Sequence, residues 1–256
     1  LKYITILEVA LKLKGKIAIV TGAGGYLGRG IAYRLAEDGA SIVVNDINLD
    51  EATKTADIIS NRGGKVMIHE ADITNSKKID DMINKILQKW NQVDILVNNA
   101  GDFRDAMLVN MTVEDWDIVV DLNLKGSFLC SKAVAPIMIK QEYGKIVNIT
   151  SMAYKGNIGQ VNYVSAKAGL IGLTQAVGLE LARYKINVNC IAPGLIETPR
   201  THTLNKKLRD RLIQTTPFKC MGEIEDIANT VSFLVSDESK YITRQIIHVS
   251  GGMEGF

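Results

Sequence analysis

Residues 17–28 read Ile17-Ala18-Ile19-Val20-Thr21-Gly22-Ala23-Gly24-Gly25-Tyr26-Leu27-Gly28. Ile17 to Val20 is a short continuous apolar run, the pattern of a strand buried on both faces. A glycine cluster follows, and an amphipathic segment then continues to about Glu37. Strand, glycine turn and helix in that order bring backbone N–H groups to a helix N-terminus, where a phosphate can approach closely. Gly22, Gly24, Gly25, Tyr26, Leu27 and Gly28 are therefore the expected cradle of a dinucleotide pyrophosphate. The cluster alone would be an ordinary turn; its place between strand and helix gives it meaning. Asp46 strengthens the reading because it ends the next strand, Ser41 to Asn45. A carboxylate there accepts both ribose hydroxyls and repels a 2′-phosphate, which favours NAD over NADP.

Working outward, the same unit repeats to the end of the chain. Further strands are expected at Lys65–His69, Val93–Val97, Lys145–Thr150, Ile186–Ala192 and Gln245–Val249. Helices are expected at Glu51–Asn61, Ser76–Trp90, Thr112–Lys140, around Tyr163 to Tyr184, and at Ile224–Ser236. Val/Ile runs that do not alternate with polar residues mark a parallel sheet covered by helices. The expected fold is α/β, a single doubly wound parallel sheet with helices on both faces, of the Rossmann type. Residues 15–256 form one dinucleotide-binding and catalytic domain in this reading, and residues 1–14 an appendage of unknown role.

Composition narrows the function classes. The chain has 256 residues, 46% hydrophobic and 23% charged, with a net charge of +2. That balance argues against a dedicated nucleic-acid surface. No segment is long and apolar enough to span a membrane, and no cleavage site follows the first fourteen residues, so neither a membrane partner nor a signal peptide is expected. Cys130, Cys190 and Cys220 are far apart, without disulfide or metal spacing, which suits the cytoplasm and buried structural thiols. His69, His202 and His248 also lack ligand spacing, so no metal is expected.

Tyr163 and Lys167 stand four apart in an expected helix, so phenol and ammonium share a face. The positive charge is expected to lower the phenol pKa and make it a proton donor and acceptor near neutral pH. A Tyr–Lys pair at this spacing is also a common surface pair. Ser151, twelve residues before Tyr163, could supply a second hydroxyl to the same substrate oxygen.

Taken together, these motifs resemble the short-chain dehydrogenase/reductase family over about residues 13–253. Ala71-Asp72-Ile73-Thr74 resembles the family element that receives the adenine, and Asn98-Asn99-Ala100-Gly101 the element that lines the cofactor. The resemblance implies a catalytic tetrad of Asn123, Ser151, Tyr163 and Lys167. It adds Asp72, Ile73, Asn99, Ala100, Gly101, Pro193, Gly194, Ile196 and Thr198 to the cofactor-binding residues, with Tyr163 and Lys167 also touching cofactor. By the same resemblance Lys167 holds the nicotinamide ribose, Asn123 fixes a proton-relaying water, and the protein is a homotetramer.

The departures are specific. Tyr26 stands where short members usually carry a glycine, and the Gly22/Gly25/Gly28 spacing is similar to that of the epimerase/dehydratase branch. The Ser151–Tyr163 separation is one residue shorter than in many members, so Thr150 is a second candidate for the serine's role. Arg244 and Ser250 stand where Gly and Asp are common. Asp102 to Leu108, Gly156 to Gln160 and Thr216-Pro217-Phe218 resemble 3-oxoacyl-acyl-carrier-protein reductases, which implies a small-molecule or acyl-thioester substrate. Sugar, polyol and simple alcohol dehydrogenases share the scaffold and are the alternative. An epimerase/dehydratase and a non-catalytic cofactor-binding protein are competing classes. The segment Leu195–Lys219 is expected to cover the substrate and carries Arg200, Lys206, Lys207, Arg209, Arg211 and Lys219. These could dock an acidic carrier or simply form a solvated basic face.

Overall fold

The computed structural model describes residues 11–255. Seven strands, β1 (Ile17–Thr21), β2 (Ser41–Asp46), β3 (Val66–Glu70), β4 (Ile95–Asn98), β5 (Gly144–Ile149), β6 (Ile186–Pro193) and β7 (Ile246–Val249), form one sheet. Their order is β3-β2-β1-β4-β5-β6-β7, and every pairing is parallel. The apolar runs read in the sequence are these strands, and β1, β4, β5 and β6 are buried along their whole length.

Period-two alternation divides β1 between two cores. Ala18 and Val20 pack on one face with Ile31 and Leu35 of α1 (Tyr26–Glu37), Ile59 of α2 (Leu49–Ser60) and Val231 of α9 (Ile224–Val235). Ile17 and Ile19 pack on the other with Ile79, Met82 and Ile86 of α3 (Ser76–Trp90) and Val134 and Met138 of α5 (Gly126–Gln141). Leu181, ending α6 (Val161–Leu181), completes that second core. Helices thus cover both faces of a doubly wound sheet. The strand order reverses between β1 and β4, where the C-terminal ends of the strands diverge and leave a crevice.

Three details differ from the sequence reading. Residues 1–10 of the expected appendage lie outside the described residues, but Leu13 belongs to the first core and its N–H donates to Asp38 O at 2.8 Å. The helix expected over Thr112–Lys140 is α4 (Val113–Val120) followed by a π turn, Asp121–Lys125, and then α5. Asn123 accounts for the widening: its Nδ2 donates to Val119 O, competing for an acceptor the regular helix would use. The less regular stretch after β6 contains α7 (Pro199–His202) and α8 (Lys206–Thr215).

Among the thiols, Cys130 and Cys190 are buried, whereas Cys220 is exposed, contrary to the expectation that all three are structural. No helix among the described residues is long and apolar enough to cross a membrane.

Candidate active site

A cleft of about 780 Å³ opens at the reversal point. One end of it is built by the turn between β1 and α1. Gly22 has φ of +63°, and a Cβ there would stand 2.8 Å from Ala100 Cα. A Cβ at Gly28 would collide with the Gly22 carbonyl and the Asn99 amide. Only glycine allows this approach. Asn99 fixes the turn, its Nδ2 donating to Thr21 O at 2.9 Å and Gly22 O at 3.2 Å. Thr21 Oγ1 accepts from the N–H groups of both Asn99 and Ala100.

Gly25 is the N-cap of α1 and supplies no side-chain cap, so the first-turn amides of Tyr26 and Leu27 face the cleft without intrahelical partners. Tyr26, which stands where short members usually carry a glycine, lines the cleft and is 55% exposed.

Asp46 ends β2 at the rim. Its Oδ2 accepts from Gly24 N and its Oδ1 from Asn48 N, both at 2.9 Å. The carboxylate is thereby held beside the glycine turn. Glu51 lines the same rim and accepts from Arg29 Nη2 at 2.8 Å. Arg29 also donates to Gly24 O, so this guanidinium is engaged by the turn and Glu51. Asp72 uses Oδ1 to accept from the N–H and hydroxyl of Thr74, which orients its other oxygen; Asp72 and Ile73 both line the cleft. At the far side, a Cβ on Gly194 would stand 2.7 Å from Ser250 Cα. Pro193, Gly194, Ile196 and Thr198 complete this wall, and Thr198 caps α7 by accepting from Thr201 N.

These features fit a dinucleotide: an uncapped helix N-terminus behind a glycine turn for the pyrophosphate, and a fixed carboxylate for a ribose.

The inner end gathers Ser151, Tyr163 and Lys167. Ser151 follows β5 in extended backbone, and its Oγ accepts from Ala153 N at 3.1 Å, leaving its proton free to donate. Thr150, the second candidate for the serine's role, does not line the cleft; it is buried and its hydroxyl donates to Lys167 O at 2.7 Å. Lys167 is buried, and its Nζ donates to Ile149 O at 2.8 Å. Burial pulls its pKa down to about 8.

Burial pushes the Tyr163 phenol up to about 12, opposed first by the Ser151 hydroxyl and then by the Arg200 guanidinium. The expected lowering by Lys167 is therefore not what dominates here. The ammonium lies 5.5 Å from the ring centroid and is itself destabilised by burial. Asn123 stands behind the cleft wall. Its Nδ2 donates to Asp102 O at 2.7 Å, while its buried Oδ1 has no partner among the described residues.

Several lining residues were not singled out in the sequence: Glu51, Leu122, Ile149 and Thr201, while Asp102 was read only as part of the Asp102 to Leu108 resemblance. Phe103 meets Tyr163 edge to face with centroids 5.8 Å apart. Asp102 and Phe103 directly follow the Asn-Asn-Ala-Gly element, so their position was the available signal. Of the six basic residues in the covering segment, Arg200 is the one that lines the cleft.

A family model described as Enoyl-(Acyl carrier protein) reductase matches residues 22–254. The chain is 42% identical over 244 residues to (2S)-((R)-hydroxy(phenyl)methyl)succinyl-CoA dehydrogenase subunit BbsD of Thauera aromatica, covering 95% of this chain and 98% of that protein. It is 42% identical to the 3-oxoacyl-acyl-carrier-protein reductase FabG of Thermotoga maritima over 95% of this chain and 99% of the relative. For FabG of Staphylococcus epidermidis the identity is 44%, over 93% of this chain and 98% of the relative.

Proposed function

Because the chain belongs to the short-chain dehydrogenase/reductase family, we propose that it reduces the ketone of a 3-oxoacyl thioester to a secondary alcohol, with NAD(H) as its cofactor. The observation that carries the chemistry is the convergence of Ser151 and Tyr163 at the inner end of a cleft whose outer end fits a dinucleotide. Relatives named for acyl-carrier-protein and coenzyme A thioesters support that substrate class. The alternative of a sugar, polyol or simple alcohol has no comparable support. Nor does the epimerase or dehydratase class.

When bound, the nicotinamide supplies the hydride. Ser151 donates to the substrate oxygen and holds it as negative charge develops. Tyr163 delivers the proton; with its pKa raised, the phenol is in the protonated form at neutral pH. Lys167 holds the cofactor ribose and resupplies the proton, and Asn123 Oδ1 is suited to orient the relaying water, since it is a buried acceptor with no described protein partner. Asp46 favours NAD, because a 2′-phosphate would meet its carboxylate. The enzyme acts as a cytoplasmic homotetramer in this reading.

The test is steady-state reduction of acetoacetyl-N-acetylcysteamine with NADH and NADPH in parallel. Turnover with NADH preferred is the expected result. Efficient turnover with NADPH instead would sink the cofactor assignment, and none with either would sink the thioester reading.

A further inference from the structure

One charged group beside the reacting end stands outside the proposed tetrad. Arg200 stands on α7 with its guanidinium carbon 3.3 Å from the Phe103 ring centroid and Nη1 3.0 Å from Asp102 Oδ1. Phe103 in turn packs edge to face on Tyr163. The guanidinium is therefore one aromatic layer from the phenol. Lys167 is the other cation lining the cleft, and it is buried against Ile149 O. Among the described residues, Arg200 is thus the one exposed cation that lines the cleft.

Its present partner is easily exchanged. The Arg200 and Asp102 side chains are 53% and 61% exposed, and an ion pair in that setting contributes little. A single N–O contact also leaves most of the guanidinium donors unused. The Phe103 ring covers the face of the guanidinium and leaves its edges available for a carboxylate, which arginine binds with paired hydrogen bonds.

We infer that Arg200 binds a carboxylate carried on the substrate's acyl chain, so that the preferred substrates are 3-oxoacyl thioesters with a second, free acid group. This inference rests on the thioester reading of the cleft. A pantetheine phosphate is the other anion such a substrate brings, but it lies many bonds from the ketone, whereas Arg200 is one ring away from the phenol that protonates it.

The experiment compares kcat/KM for three substrates: 3-oxohexanoyl-N-acetylcysteamine, the N-acetylcysteamine monothioester of 3-oxoadipate, and 3-oxohexanoyl-CoA. The carboxylated thioester is expected to be favoured over its neutral counterpart by about tenfold or more, through KM. Arg200→Ala should abolish that preference, Arg200→Lys should keep part of it, and Asp102→Asn should enlarge it by releasing the guanidinium. Equal kcat/KM for the neutral and carboxylated thioesters in the unsubstituted enzyme overturns the inference. So does a preference for 3-oxohexanoyl-CoA that disappears in Arg200→Ala, which would assign the guanidinium to phosphate. If Arg200→Ala does not fold, the unsubstituted enzyme and Asp102→Asn still decide. Failure of all three thioesters overturns the functional reading and this inference with it, whereas turnover without the carboxylate preference overturns the inference alone.

Discussion

Asn123 Oδ1 and Lys167 Nζ flank the same point above Gly101: a Cβ built there would lie 2.5 Å from the amide oxygen and 3.3 Å from the ammonium nitrogen. The oxygen is buried and has no described partner, and the ammonium has spare donors. Gly101→Ala would place a methyl between them. The expected result is a loss of about tenfold or more in kcat, because the methyl blocks the proposed proton route. An unchanged kcat would remove Asn123 and Lys167 from proton transfer.

Tyr163→Phe removes the proton donor and leaves the edge-to-face packing on Phe103 in place. A loss of about 10²–10⁴-fold in kcat is expected, with NADH binding, followed by fluorescence titration, nearly unchanged. Retention of most activity would contradict the acid role.

The phenol pKa of about 12 sets opposite pH profiles for the two directions. Ketone reduction uses the protonated phenol, so its rate should be flat through neutral pH. Alcohol oxidation uses the phenolate, so its rate should rise with pH below that pKa. Measuring both directions over the same pH range checks this, and an oxidation rate independent of pH would count against Tyr163.

Lys167 carries a stability cost. Its pKa is pulled from 10.5 to about 8 by burial. Between those values the unfolded chain binds more protons than the folded one, so stability should rise with pH across that window. Below it both states are protonated and the penalty is fully present. Lys167→Met should therefore unfold at higher urea than the unsubstituted protein at pH 7, without nucleotide, and lack the alkaline rise. A variant less stable at pH 7 would show that the Ile149 hydrogen bond outweighs the burial.

Asp46→Ala should weaken NADH binding and strengthen NADPH binding, seen as a narrowed ratio of dissociation constants by titration. An unchanged ratio would leave the adenosine end without its proposed discriminator.

Much of the fold and site could be read from sequence because the signals were local. Apolar runs without alternation gave the strands, and the glycine cluster gave the tight turn at one end of the cleft. What could not be read depends on packing between distant segments. The π turn at Asn123 arises from a side chain that bonds both Val119 O and Asp102 O, and helical periodicity does not register it. Four-residue spacing put Tyr163 and Lys167 on one face, yet burial, not proximity, dominates both pKa values. Nothing local distinguished Arg200 from the other basic residues of its segment; the cap at Thr198 and the Phe103 ring set its position. Arg244, where the resemblance leads one to expect glycine, does adopt a left-handed φ of +61°. Its N–H donates to Val188 O and its side chain to Gln175 O, and these bonds hold it there.

The most direct test of the account follows the hydride. Acetoacetyl-N-acetylcysteamine is reduced with NADH carrying deuterium at the transferable position, and the product is read by mass spectrometry and NMR. The account predicts one deuterium on the carbon that bore the ketone, in a 3-hydroxyacyl product. Deuterium at any other carbon, or product without label, would contradict it.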